Sequence, residues 1–188
     1  MFGTEIGRVG IYLEFSFPAV IALILLTGGR TGELMVMLLC CALHECGHLA
    51  LMFILHRRPE RISFYGGGIR ITPQVGRLGS TYGDIAVLLA GCCVNFLLAL
   101  GSYLTHGMNF FTVTNLTLGV FNLLPFRYFD GGQVLAILTE GRCMKLIRTV
   151  FMILALAYLY ITALQGRLSL SLTVTLVFII AEELLADK

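Results

Sequence analysis

Apolar residues run along this chain in six blocks, roughly 11–28, 34–55, 83–105, 109–126, 147–164 and 169–185, separated by polar or glycine-rich stretches. A bilayer-crossing helix needs about 20 mostly apolar residues. The pattern therefore predicts an all-α polytopic membrane protein of about six transmembrane helices, with residues 1–188 as one domain. The first block leads into TGGRTGE, which lacks a small-x-small cleavage pattern, so we read it as a retained helix rather than a signal peptide. Between the second and third blocks the period changes. In RISFYGGGIRIT, Ile62 and Phe64 precede the triplet Gly66-Gly67-Gly68, and Ile69 and Ile71 follow it. That alternation predicts a small β-hairpin, although an amphipathic loop on the membrane surface fits the same pattern.

Composition sharpens this picture. Of 188 residues 57% are hydrophobic and 13% charged, and the mean hydropathy is +0.89, whereas soluble domains carry roughly a quarter charged residues. A soluble protein is excluded. Six spans would put the N-terminus, loops 56–82 and 127–146 and the C-terminus on one side. That side holds every lysine and arginine except Arg30 and Arg167. Such a bias predicts a cell-membrane protein with both termini cytoplasmic. The partner expected of it is the lipid bilayer, and nucleic acid is not expected. The six cysteines show no CxxC spacing and read as small packing residues.

One polar island interrupts the second block: MLLCCALHECGHLALMFIL, residues 37–55. His44 and His48 are four residues apart, so on a helix both imidazoles project from one face and can bind a single metal ion. Glu45 stands where its carboxylate can act on a water beside that ion. This is the HExxH pattern, in which zinc lowers the pKa of water and the glutamate is general base. Within a membrane span an ionisable residue faces the bundle interior and usually marks function. The bland alternative is a histidine pair hydrogen-bonded to neighbouring helices.

Two histidines leave a catalytic zinc short of its usual third protein ligand. The candidate is Asp130 in FNLLPFRYFDGGQVL, where Pro125 breaks the fourth span and Gly131-Gly132 permits close backbone approach. A residue capping the next helix is the competing role for Asp130. His48 lies about eight residues, roughly 12 Å, from the cytoplasmic end of its helix, and Asp130 starts from the same face. Asn115, Gly119 and Asn122 share one face of the fourth span. Packing explains Asn115, whereas Asn122, one turn before Pro125, leans towards the site.

These motifs together resemble the site-2 intramembrane metalloproteases: HExxH in an early span, then N-x-x-P-x-x-x-x-D-G near the end of a later one. The compact form without appended domains is most similar to the stage IV sporulation protease subgroup. The resemblance is carried by His44, Glu45, His48, Asn122, Pro125, Asp130 and Gly131, and by AGCCVN with its Asn95. It implies one Zn2+ held by His44, His48 and Asp130, with Glu45 activating water and Asn95 and Asn122 lining a substrate-binding cavity. It also implies a membrane-embedded or membrane-associated protein substrate, and it leaves room for an inhibitory membrane partner or an oligomer. The chain departs from the family pattern at Cys92, Tyr128 and Gln133, none of which is a ligand or the base. The expected function is zinc-dependent intramembrane proteolysis near the cytoplasmic side; a sporulation transcription-factor precursor as substrate is implied only by the likeness to that subgroup. The rival is a catalytically silent scaffold that keeps the fold and binds a partner.

Overall fold

The computed structural model describes residues 2–6, 9–26, 30–57, 59–65, 68–73, 81–126, 129–142 and 144–166, with isolated positions up to 180. The chain divides into two units, Met1–Asn122 and Leu123–Lys188.

In the first unit, β1 (Phe2–Ile6) and β2 (Val9–Leu13) precede α1 (Ser16–Leu26) and α2 (Thr31–Ile54). Next come β3 (Pro59–Tyr65), β4 (Gly68–Pro73), α3 (Thr81–His106) and α4 (Phe110–Asn122). α2 has 24 residues, about 36 Å at 1.5 Å per residue, enough to cross a hydrocarbon core of about 30 Å. Its buried positions are Leu34, Cys40, His44, Gly47, His48 and Met52. They form one helical face on which the polar groups are enclosed. Outside lie Met35, Leu39, Phe53 and Ile54, the distribution expected where the surroundings are lipid. α3 repeats the arrangement and encloses Gly91, Cys92 and Asn95.

Glycine sets how closely these helices approach. A Cβ on Gly47 would stand 2.9 Å from the Ala90 carbonyl oxygen, and one on Gly119 would meet the Phe96 ring at 2.8 Å. Small residues at such crossings let membrane helices pack backbone to backbone. Two further devices fix the connections on either side of α3. α2 stops at His56, whose φ of 53° is followed by a bond from the Arg57 amide back to the Met52 carbonyl at 2.8 Å, a Schellman-type closure. Arg57 then forms an ion pair with Asp84 in the first turn of α3. His56 is thus a helix terminator and exposed. At the far end Asn109 caps α4, accepting from the Thr112 amide at 2.9 Å.

Among the described residues the sheet has four strands in the order β1-β2-β3-β4. The expected hairpin is present: β3 and β4 pair antiparallel from Tyr65↔Gly68 outward. Gly66 and Gly67 of its turn lie outside the described residues. The rest of the sheet departs from expectation. Residues 9–13, the last three of which were expected in the first span on hydropathy, form β2, paired antiparallel with β1 and parallel with β3. Val9, Ile11 and Leu13 alternate with Gly10 and Tyr12, a period-2 pattern that merged with the apolar run behind it. Tyr12 also carries the Arg61 guanidinium over its ring at 3.9 Å, a cation–π contact across β2 and β3. β4 is an outer strand and lies beside α2.

The second unit contains α5 (Asp130–Leu138) and α6 (Met144–Leu164). α5 falls inside what was expected to be a plain loop, 127–146. Its first turn rests on the preceding backbone: a Cβ on Gly131 would run into the Leu123 carbonyl and one on Gly132 into that of Phe126. Only glycine fits at either position. α4 ends at Asn122, short of the expected 126, because Pro125 has no N–H to continue the ladder. Among the described residues three helices, α2, α3 and α6, are long and apolar enough to cross a membrane. The protein is mostly helical, with a small sheet, and is a membrane protein. The sixth expected span, 169–185, lies almost wholly outside the described residues.

Candidate metal centre

α2 brings His44 and His48 to the same face, with ring centroids 4.7 Å apart and planes at 84°. Their Nε2 atoms lie 3.1 Å apart. Each ring is held from behind by its Nδ1: His48 by the Val87 carbonyl oxygen at 2.7 Å, His44 by the Asn95 side-chain oxygen at 2.6 Å. A carbonyl oxygen can only accept, so His48 Nδ1 bears the hydrogen and, in the neutral ring, Nε2 presents a lone pair. The same follows for His44 as far as Asn95 presents oxygen. Two lone pairs directed at one another at 3.1 Å repel unless a cation is shared between them. Two nitrogens bound to one zinc at about 2.0–2.1 Å with a tetrahedral angle would lie about 3.3 Å apart. The residues present fit a metal ion. Histidine ligands generally donate their other ring N–H to a carbonyl or carboxylate, and both rings here do so.

Glu45 lies in the same turn. A carboxylate oxygen of Glu45 and one ring nitrogen from each of His44 and His48 fall within 4.8 Å of one another. The carboxylate can therefore reach a water beside a shared ion. Both histidines are buried, while Glu45 is partly accessible. Cys46 faces outward and is exposed, as its offset from the histidines requires.

α3 supplies the wall. A Cβ on Gly91 would stand 2.5 Å from His48 Nε2 and 2.7 Å from both Cε1 and Nε2 of His44. The bare backbone of Gly91 is what makes room for the imidazoles. Sequence reasoning passed over Gly91, Val87 and the part played by Asn115. The available signal was Gly91 and Asn95 at i and i+4 on an otherwise apolar helix.

Asn95 and Asn122 were expected together in a substrate-binding cavity, and the structure treats them differently. Asn95 is fully buried, its oxygen on His44 and its nitrogen on Asn115 Oδ1 at 2.9 Å. What it touches is His44 and Asn115. Asn122, partly accessible at the end of α4, turns its nitrogen onto the Leu118 carbonyl of its own helix at 3.0 Å. In the second unit Asp130 is the first residue of α5 and buried. Cys92 is buried in α3 and Gln133 exposed on α5. Tyr128 lies outside the described residues.

A model of the peptidase family M50 matches residues 100–164. The sporulation protein FB of stage IV from Bacillus subtilis (strain 168) is 29% identical over 132 residues, which are 65% of this chain and 45% of that relative. The chain resembles the site-2 proteases of family M50. The M50 stretch takes in Asn115, Asn122 and Asp130 and begins downstream of the histidines. The match spans less than half the length of the Bacillus relative. In fold, the chain is similar to the site-2 protease from Methanocaldococcus jannaschii. The TM-score is 0.66 over 95% of this chain and 92% of that one, at 20% identity.

Proposed function

We propose that this chain is a zinc-dependent endopeptidase that cleaves a membrane-embedded or membrane-associated protein near the cytoplasmic side of the membrane. The observation that supports it most is the pair of Nε2 atoms 3.1 Å apart, each ring held through Nδ1. His44 and His48 hold the ion, and Asp130 supplies the third ligand. For Asp130 the support is its place at the head of α5, on a turn that only Gly131 and Gly132 allow.

A zinc ion at this position supplies a Lewis acid for the scissile carbonyl and lowers the pKa of water towards 7. Glu45 takes a proton from the attacking water and passes it to the departing amine nitrogen. Gly91, Val87 and Asn95 keep the imidazoles in place, and Asn122 offers its amide oxygen to the substrate backbone. A membrane helix hides its peptide bonds in internal hydrogen bonds, so the substrate must be unwound before cleavage. The outer strand β4, beside α2, gives an unwound segment an edge to pair with. Six spans with both termini cytoplasmic complete the proposal. The setting is regulated proteolysis and, by the Bacillus relative's name, sporulation.

The test is zinc analysis of the purified full chain. One zinc per chain is expected, lost on His44→Ala, His48→Ala or Asp130→Ala and kept on Glu45→Gln. Wild type without zinc would overturn the metal site, and full zinc in Asp130→Ala would overturn the third ligand.

A further inference from the structure

Asn95 and Asn115 are both completely buried, and they link three helices in one line from α4 through α3 to His44 on α2. We propose that Asn115 is a positioning residue that acts through Asn95 to fix the ring tautomer of His44, leaving Nε2 available to a metal. This deepens the zinc-site reading and rests on it.

A chain of amides is ambiguous by itself, because oxygen and nitrogen exchange places on a half-turn of the side chain. Here the ambiguity is removed at the far end. One atom of the Asn115 amide lies 3.0 Å from the Phe111 backbone oxygen, which can only accept. That atom must be the nitrogen. Its second hydrogen is directed at Cys40 Sγ, 3.1 Å away, so both donors of Asn115 are used. The Asn115 oxygen then faces Asn95 at 2.9 Å and requires a donor, which fixes the Asn95 nitrogen there. The Asn95 oxygen is left facing His44 Nδ1 at 2.6 Å, and that nitrogen must carry the hydrogen. A neutral imidazole has one N–H, so Nε2 is a lone pair.

Reversing the chain shows what is at stake. With Asn95 turned over, an amide N–H would meet His44 Nδ1, the ring hydrogen would move to Nε2, and coordination by Nε2 would be blocked. His48 reaches the right tautomer in one step, from the Val87 carbonyl. His44 reaches it in three, and the anchoring carbonyl is on α4.

The experiment is a zinc competition titration against a chromophoric chelator, on the full chain in detergent, with thermal unfolding of the metal-free protein as the check on folding. Asn115→Leu should weaken zinc binding by about 10–100-fold, the usual cost of losing an outer partner of a ligand. Asn115→Asp keeps an oxygen towards Asn95, and when protonated keeps a donor towards Phe111, so it should bind zinc close to wild type. Adding Asn115→Leu to Asn95→Leu should cost nothing beyond Asn95→Leu alone, because the two act in series. If the leucine variant does not accumulate, Asn115→Ala carries the same expectation. Wild-type affinity in Asn115→Leu, equal losses in the Leu and Asp variants, or losses that multiply in the double variant would each overturn the proposal alone. Wild type without zinc would overturn the metal site and this proposal together.

Discussion

Substituting Gly91 by alanine tests the packing of the candidate centre with a single added carbon. That Cβ would stand 2.5 Å from His48 Nε2 and 2.7 Å from two atoms of the His44 ring. Ordinary contact is about 3.5 Å, so one or both imidazoles must retreat by about 1 Å. Metal–ligand distances tolerate only about 0.2 Å, and a 1 Å misplacement at a catalytic centre costs on the order of 10²-fold in rate. The helix itself should gain, since alanine is favoured over glycine in a helix interior by about 1 kcal/mol. Overpacking costs about 1–3 kcal/mol, leaving overall stability changed by about 2 kcal/mol or less. Gly91→Ala should therefore insert and purify, carry far less zinc than wild type, and cleave a co-expressed membrane substrate at about 1% of the wild-type rate or below. The control is Gly101→Ala on the same helix, where a Cβ meets nothing within 4 Å; it should keep full zinc and activity. Zinc by mass spectrometry and reporter cleavage by immunoblot decide the matter. Gly91→Ala with wild-type zinc and turnover would mean that the two imidazoles do not act where α3 holds them.

Two further outcomes follow from the same geometry. Gly131→Ala and Gly132→Ala force a carbon into the backbone carbonyls of Leu123 and Phe126. Backbone cannot yield as a side chain does, so each should destabilise by at least the roughly 1–3 kcal/mol of overpacking, seen as lower membrane accumulation and melting temperature. Gln133→Ala, exposed on the same helix, should be neutral; equal behaviour of the three would refute the close contact. Deleting Gly66-Gly67-Gly68 should impair cleavage and leave zinc content intact, because it disturbs the β3–β4 edge and not the histidines. Unchanged turnover in that deletion would remove the hairpin from the mechanism.

Whatever was set by neighbours within one turn of chain could be read from the sequence. His44 and His48 share a face because four residues make about one helical turn, and the long apolar blocks of α2, α3 and α6 are visible in composition alone. The β3–β4 hairpin was legible from alternation around its glycines. What escaped depends on contacts between distant segments. β2 exists because β1 and β3 flank it, and hydropathy cannot separate a five-residue apolar strand from the helix that follows. Asn95 reads as a cavity residue until His44 is found 2.6 Å from it. Asn115 reads as packing until the direction of its hydrogen bonds is traced to Phe111. Gly91 looks like any small residue in an apolar helix, and only the rings behind it show why no side chain fits.

Glu45 carries the central claim most directly. It is proposed to move a proton and to bind no metal, so Glu45→Gln should leave insertion and zinc occupancy at wild-type levels. Activity should fall by at least the roughly 10²–10⁴-fold that general acid–base catalysis contributes. The decisive measurement is comparative terminal proteomics of cells carrying wild type or Glu45→Gln. An active protease requires at least one membrane-associated protein that accumulates at full length in the Gln variant and is shortened by wild type. If no protein changes length and the Gln variant complements fully, the chain is a silent scaffold and the proposed chemistry is wrong.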